Sequence, residues 1–337
     1  MSVAMSGRVL VAGAGGFIGG QLVRDLEKQG RAIRAVDRKP IEHWFYRSAA
    51  AENLIYDLKD RQSCHLATQN VQEVYNLAAD MGGMGFIEHN KALCMLSVLI
   101  NTHLLVGSRD NGVERFFFAS SACVYPDYRQ RETDIEALKE SDAYPAMAED
   151  GYGWEKLFSE RMCRHFREDF GLTTRIARYH NVYGPYGTWD GGREKAPAAI
   201  SRKVALAKLT GKHEIEIWGD GEQTRSFMYI DDCLKGTQLL MRSETVEPLN
   251  IGSDEMVSIN ELVDIVEDIA GIKLKRSYKL DAPKGVRGRN SDNTLIRNSL
   301  KWAPSIRLRE GMEKTYRWIY DQVKARAENR PFVAAYE

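Results

Sequence analysis

The sequence predicts an α/β protein, a doubly wound parallel sheet followed by a smaller α/β domain. Three observations carry this. Short β-rich runs alternate with helix-spaced stretches through the first half of the chain, a glycine-rich turn joins the first run to the first helix, and the alternation breaks near residue 180. Strands separated by helices pair in parallel and are covered on both faces. At 337 residues the chain exceeds what one core usually holds, so a large domain and a smaller one are expected.

The first strand is Arg8–Ala12, a short β-rich run that ends in glycines. The helix Phe17–Gln29 follows, with Ile18, Leu22, Val23 and Leu26 on one face, and Gly30 ends it. Ala32–Val36 is the next strand, with Asp37 at its end. Further strand-like runs lie at Asn53–Tyr56, Val71–Leu77, Arg115–Ser120 and Thr174–Tyr179, with helices at Met95–Arg109 and Trp154–Phe170 between them. Beyond Tyr179 the segment Gly184–Pro197 is rich in glycine and proline and reads as a long loop. Helices are expected at Pro197–Leu209, Asp231–Arg242, Ile259–Ala270 and Leu308–Val323, the third opened by a capping box of Ser258 and Glu261. The domains are therefore 1–180 and 181–337, with some exchange of segments across the boundary.

Composition excludes several classes of function. Lys plus Arg and Asp plus Glu are equal at 47 each, so net charge drives no association with nucleic acid or acidic lipid. A local basic pocket is still possible on a neutral chain. No unbroken run of about 18 apolar residues suggests a membrane span, and Met1–Gly7 is too short and polar for a leader. The five cysteines lie far apart with no Cys-x-x-Cys pair, which reads as free thiols in a reducing compartment, the cytoplasm. No His, Cys or Asp cluster has metal-ligand spacing.

Gly13-Ala14-Gly15-Gly16-Phe17-Ile18-Gly19 stands between the first strand and first helix. Gly13, Gly16 and Gly19 give the spacing of a dinucleotide-binding turn, in which glycine permits the tight turn and a close approach to pyrophosphate. The helix N-terminus, opened by Phe17 and Ile18, offers N–H groups and partial positive charge. Asp37 lies 18 residues after Gly19, where a carboxylate accepts hydrogen bonds from ribose hydroxyls and repels a 2′-phosphate. NAD is therefore expected rather than NADP, although Arg38 and Lys39 follow immediately.

Tyr152-Gly153-Trp154-Glu155-Lys156 places a tyrosine and a lysine four residues apart on one helical face. A phenol is a poor base at neutral pH, and a neighbouring lysine together with a cationic nicotinamide favours its phenolate. Upstream, Ser120-Ser121-Ala122-Cys123-Val124-Tyr125-Pro126 ends a hydrophobic strand at the edge where α/β sheets bind ligands, and Ser121 can bond the hydroxyl that Tyr152 deprotonates.

Together these motifs resemble the extended short-chain dehydrogenase/reductase family, whose members modify nucleotide sugars. The resemblance spans nearly the whole chain, including Asn181-Val182-Tyr183-Gly184-Pro185 and Phe227-Met228-Tyr229-Ile230-Asp231-Asp232. It implies a Rossmann-type NAD domain, a C-terminal substrate-binding domain, and transient oxidation of a sugar carbon by NAD. It also implies that Asp57 and Leu58 touch the adenine, and that the helices Met95–Arg109 and Trp154–Phe170 pair in a homodimer. Family members often carry asparagine where Ser97 and His103 stand here.

Within the family, Cys123 replaces the usual serine or threonine, and the acidic pair of the dehydratases is missing. A ketone in the ring acidifies both neighbouring carbons, and inverting one takes a base on one face and an acid on the other. A thiol at Cys123 and an amine at Lys195, in the loop Gly191-Gly192-Arg193-Glu194-Lys195-Ala196-Pro197, suit that task. These segments, with Asn76–Gly85, Trp218–Phe227, Asn250–Ser258 and Gly285–Asn293, resemble the branch of 3,5-epimerases that act on GDP-mannose. That resemblance implies an isomerase whose substrate site comprises Gly82, Ser121, Ala122, Cys123, Asn181, Glu194, Lys195, Ala196, Lys203, Gln223, Arg225 and Arg289. Asp190 stands where plant members of that branch carry a lysine, and His180 reads as structural. A 4-epimerase, or an epimerase of a different nucleotide sugar, remains the alternative. A non-catalytic NAD-binding regulator is the remoter one, since such relatives usually lack the tyrosine or the lysine.

Overall fold

The computed structural model describes residues 7–283 and 285–332. Most of the stretch read as too short for a leader, Met1–Ser6, lies outside them. In chain order the first half comprises β1 (Val9–Ala12), α1 (Phe17–Lys28), β2 (Ile33–Asp37), β3 (Glu52–Ile55), α2 (Arg61–Thr68), β4 (Glu73–Asn76), α3 (Met84–His89), α4 (Lys91–Met95), α5 (Ser97–Asp110), β5 (Arg115–Ser121), α6 (Tyr152–Phe170) and β6 (Thr173–Tyr179). The second half continues with β7 (Val182–Tyr183), α7 (Ala196–Thr210), β8 (Glu214–Trp218), β9 (Thr224–Ser226), β10 (Met228–Tyr229), α8 (Ile230–Arg242), β11 (Leu249–Ile251), β12 (Met256–Ser258), α9 (Ile259–Ala270), β13 (Lys275–Lys279), β14 (Gly288–Arg289), α10 (Thr294–Leu300) and α11 (Leu308–Ala327).

Seven strands form one parallel sheet in the order β11-β6-β5-β4-β1-β2-β3. Because successive strand residues face opposite ways, Val9 and Val11 pack with Leu22, Val23 and Leu26 of α1, while Leu10 and Ala12 join Leu104 of α5 and Cys163 of α6. Both faces are covered, which is why these strands read as unbroken apolar runs. Strand β11 returns from the second half of the chain to lie beside β6. The remaining strands form three small sheets, β12-β9-β14, β13-β8 and β10-β7, packed with α7, α9 and α11.

A buried ion pair ties the sheet to α6. Arg178 donates to Glu160 from Nε at 2.9 Å and Nη2 at 2.7 Å, and Ser120 Oγ donates to the same carboxylate at 2.6 Å. The capping box at α9 is present, with Glu261 N donating to Ser258 Oγ at 3.0 Å and Ser258 N to Glu261 Oε2 at 2.6 Å. The stretch expected as one helix from Met95 is divided at Leu96 into α4 and α5. Lys91–Asp110 is the one stretch among the described residues apolar and long enough by composition to cross a membrane, at mean hydropathy 1.4, with 44% of that window buried in the fold. Polar residues such as Asn101 and His103 interrupt it, so it shows no unbroken apolar run in the sequence.

Candidate active site

The order of the sheet reverses at β1, which lies between β2 and β4, and the crevice beyond the strand ends there is where α/β sheets bind ligands. The glycine turn crosses it. Gly13 sits at φ +84°, a conformation that favours glycine, and a Cβ there would come 2.9 Å from Ala78 N. A Cβ at Gly19 would lie 2.1 Å from the Gly13 carbonyl oxygen, so the first turn of α1 touches the loop backbone directly. Asp37 closes β2, and its carboxylate accepts from Gly15 N and Lys39 N, each at 3.0 Å.

Above the turn lies a cavity of about 320 Å³. Every residue expected to hold the dinucleotide lines it: Gly13, Gly16, Phe17, Ile18, Gly19, Asp37, Asp57, Leu58, Tyr152 and Lys156. Gly82, Ser121 and Lys195 line the same cavity, so the cofactor-side and sugar-side residues share one cleft. The bare glycine turn and the Asp37 carboxylate fit a dinucleotide without added phosphate.

Tyr152 opens α6, with Gly151 before it at φ +69°. A Cβ on Gly153 would fall 2.2 Å from the Cys123 carbonyl oxygen, so the helix start presses against the Ser121–Cys123 backbone. Ser121 lies close enough to Tyr152 to draw its phenol down, and Lys156 Nζ lies 5.4 Å from the Tyr152 ring centroid. Burial, then Cys123 and Glu155, pushes the Tyr152 phenol well above its ordinary value, and only Ser121 draws it down. The expected lowering relies on the lysine together with a cationic nicotinamide; in the protein alone, desolvation of the 5% exposed ring dominates.

Cys123 is 7% exposed and accepts a hydrogen bond from Arg289 Nη1 at 3.7 Å. Lys195 precedes α7; burial pulls its amine below the ordinary lysine value, opposed by Cys123 and then Cys233. Arg225 is pulled down to about 10 by burial, again opposed by Cys123. Cys123 thus contacts Arg289, and negative charge on it would favour the cationic forms of Lys195 and Arg225. The other four cysteines are buried, and burial raises each of their thiols.

Cys123 and the other expected substrate residues lie outside the cavity lining, and the side-chain donors among them bond to protein. Asn181 Nδ2 donates to Ser226 O at 2.9 Å, Lys203 Nζ to Glu216 O at 2.7 Å, and Gln223 Nε2 to Trp218 O at 2.9 Å. Glu194 accepts from Arg202 Nη2 at 2.9 Å and Gly192 N at 2.8 Å. Arg225 donates to Thr224 O at 2.7 Å and Val286 O at 2.5 Å. Arg289 donates to Gln130 at 2.7 Å and to Glu149. Ala122 is buried, and Ala196 begins α7. Asp190 turns toward Arg326 at 2.7 Å and Arg202 at 3.4 Å rather than into the cavity. His180 is fully buried against Asn250 Oδ1 at 3.0 Å, and burial lowers it to about 4, which suits a structural residue.

Sequence reasoning passed over Lys59, Asp80 and Arg193, which line the cavity, and Glu149 and Gln130, which hold Arg289. Gly83 was passed over as well. Its N–H donates to Arg193 O at 3.0 Å, and a Cβ there would meet Glu194 O at 2.5 Å, so the two sugar-side loops touch through backbone.

The NAD dependent epimerase/dehydratase family matches residues 9–252. The chain is 47% identical over 330 residues to GDP-mannose 3,5-epimerase 1 of Oryza sativa subsp. indica, covering 98% of this chain and 86% of that protein. It is 48% identical over 318 residues to GDP-mannose 3,5-epimerase of Arabidopsis thaliana, covering 94% and 83%. Among solved structures, MoeE5 in complex with UDP-glucose and NAD is 28% identical, with a TM-score of 0.76 and 93% and 98% of the two chains covered. UDP-glucose 4-epimerase of Thermotoga maritima shares the fold at TM-score 0.83 and 24% identity, covering 93% and 99%.

Proposed function

The chain belongs to the NAD dependent epimerase/dehydratase family, and on that premise we propose that it is an isomerase converting GDP-D-mannose to GDP-L-galactose by inversion at C3 and C5. The observation that carries the reading is the convergence of two proton-transfer sets: Tyr152, Ser121, Lys156 and Lys195 line one cleft, and Cys123 packs against Tyr152 at its edge. The identity of 47% and 48% to two plant GDP-mannose 3,5-epimerases supports the substrate and the double inversion.

NAD, when bound, supplies reversible removal of a hydrogen and its two electrons from a sugar carbon. The glycine turn would hold its pyrophosphate, Asp37 its adenosine ribose, and Asp57 and Leu58 its adenine. Tyr152 takes the proton of the C4 hydroxyl, and Ser121 orients that hydroxyl by a hydrogen bond. With C4 a carbonyl, the hydrogens at C3 and C5 become acidic. Cys123 and Lys195 then move protons on opposite faces of the ring. Tyr152 returns its proton to O4 at the end, so the net change is isomerisation. Gly82, Ala122, Asn181, Glu194, Ala196, Lys203, Gln223, Arg225 and Arg289 complete the sugar-nucleotide site on this reading, through side-chain movement at those now bonded to protein.

The protein acts in the cytoplasm as a homodimer, with no nucleic-acid or membrane partner. The dimer reading is supported by exposed Leu96 and Leu99 near the start of α5 and by Trp154 and Phe158 on α6. Incubation with GDP-mannose in heavy water, followed by NMR, tests the chemistry. Deuterium at C3 and C5 with new L-sugar signals and no net NADH is expected. Inversion at C4 without ring deuterium would replace this reading with a 4-epimerase.

A further inference from the structure

The cofactor side of the cleft contains a group that neither the glycine turn nor the proton-transfer sets use. Asp80 follows β4, is 4% exposed, and lines the same cavity as Asp37. Its Oδ1 accepts from Arg38 Nη2 at 2.5 Å, and its Oδ2 pairs with Lys59 Nζ at 2.9 Å. Ser97 Oγ accepts from its backbone N–H at 2.9 Å, which fixes the carboxylate's origin. One buried anion therefore holds the cation that follows β2 and the cation that follows Leu58.

Arg38 is the immediate neighbour of Asp37, and its side chain is 47% exposed, so packing alone does not fix its direction. A guanidinium at this place is what a 2′-phosphate requires, because its planar donors match phosphate oxygens. We infer that Asp80 is a specificity-determining residue for the cofactor: by holding Arg38 it withdraws from Asp37's end of the cleft the cation that would pair with a 2′-phosphate. Asp37 supplies the repulsion and Asp80 removes the attraction. Discrimination between two ligands is a difference of affinities, and both terms enlarge it. The inference rests on the dinucleotide reading of the cleft and is independent of which sugar the enzyme takes.

The test is titration calorimetry of dinucleotide-free protein with NAD and with NADP, for wild type, Asp80→Asn, Arg38→Met and the double variant. Asp80→Asn is expected to raise NADP affinity about tenfold, the effect of one strong charge-assisted contact, with NAD affinity changed less than threefold. Arg38→Met alone leaves both affinities as they were, and in the double variant the gain disappears. If Asp80→Asn does not fold, Asp80→Ser removes the same charge with a smaller polar side chain. NAD binding with no NADP gain at Asp80, or a gain that survives loss of Arg38, overturns the inference alone. Wild-type protein that binds neither dinucleotide overturns the cofactor reading and this inference with it.

Discussion

A single methyl group at Gly19 tests whether the glycine turn is built to backbone contact. In Gly19→Ala the new Cβ would lie 2.1 Å from Gly13 O, 2.7 Å from Gly13 C and 3.1 Å from Ala14 Cα. All three are backbone atoms, so no side chain can swing aside, and the turn must open by about 1 Å to reach ordinary contact. Alanine gains up to ~1 kcal/mol of helix propensity in the first turn of α1. Overpacking against backbone costs about 1–3 kcal/mol, and at so short a distance the upper part of that range applies. The net loss is on the order of 1–2 kcal/mol of folding stability. Gly16 is the internal control for packing, since a Cβ there would meet the same carbonyl at 3.2 Å and needs only a few tenths of an ångström. Urea unfolding of both variants without dinucleotide decides the matter. A Gly19→Ala protein with an unchanged urea midpoint would refute the reasoning, as would a larger loss at Gly16.

Three further outcomes are expected. Cys123→Ser should cut ring-deuterium incorporation by about 10²–10⁴, the usual worth of a positioned acid or base, while NAD affinity stays within threefold; unchanged exchange would remove Cys123 from the chemistry. Glu160→Gln leaves the buried Arg178 uncompensated and should lower stability by about 3–5 kcal/mol, read as a shift in urea midpoint, with a change under about 1 kcal/mol contradicting the packing argument. His180 is neutral in the fold at about 4 and takes a proton near 6.5 when unfolded. Its contribution is full above pH 6.5 and declines as pH falls toward 4, by about 3 kcal/mol. The slope of stability against pH in that window should flatten in His180→Asn, and an unaltered slope would show that other groups carry it.

The large sheet was legible because strands covered on both faces leave apolar runs that end in glycine or acid, as Val9–Ala12 does. The short strands of the second half, such as Val182–Tyr183 and Gly288–Arg289, are two residues long and carry no period to detect. Helices α3 and α10 span under two turns and suffer the same limit. In the site, Tyr152 and Lys156 were legible because their spacing is fixed by the helix, and the glycines because their spacing is fixed by the turn. Asp80 and Glu149 were not legible. In the sequence each is one acid among 47, and each meets its arginine only through the fold, 42 and 140 residues away in the chain. Burial of Tyr152, which raises its phenol in the protein alone, depends on Ile87, Cys94 and Cys123 packing together, and no local pattern encodes that.

Burial moves Tyr152 up and Lys195 down for one reason, since each is driven toward its neutral form. The amine at Lys195 is thereby a readier base than a solvated lysine, and the phenol at Tyr152 a more reluctant acid. Lys156 is nearly fully buried, with its Nζ 5.4 Å from the phenol ring centroid and 3.5 Å from Glu155, and Ser121 is the neighbour that draws the phenol down. Negative charge on Cys123 works in the opposite direction, because it raises Tyr152 further. Thiolate and phenolate are therefore mutually unfavourable in this cleft. A reaction that required both at once would have to place two anions in one desolvated site. A reaction that uses them in turn does not: in the proposed cycle Tyr152 gives up its charge on taking the O4 proton before Cys123 acts on the ring, and recovers it afterwards. The electrostatics of the site thus favour the stepwise order that oxidation followed by inversion demands.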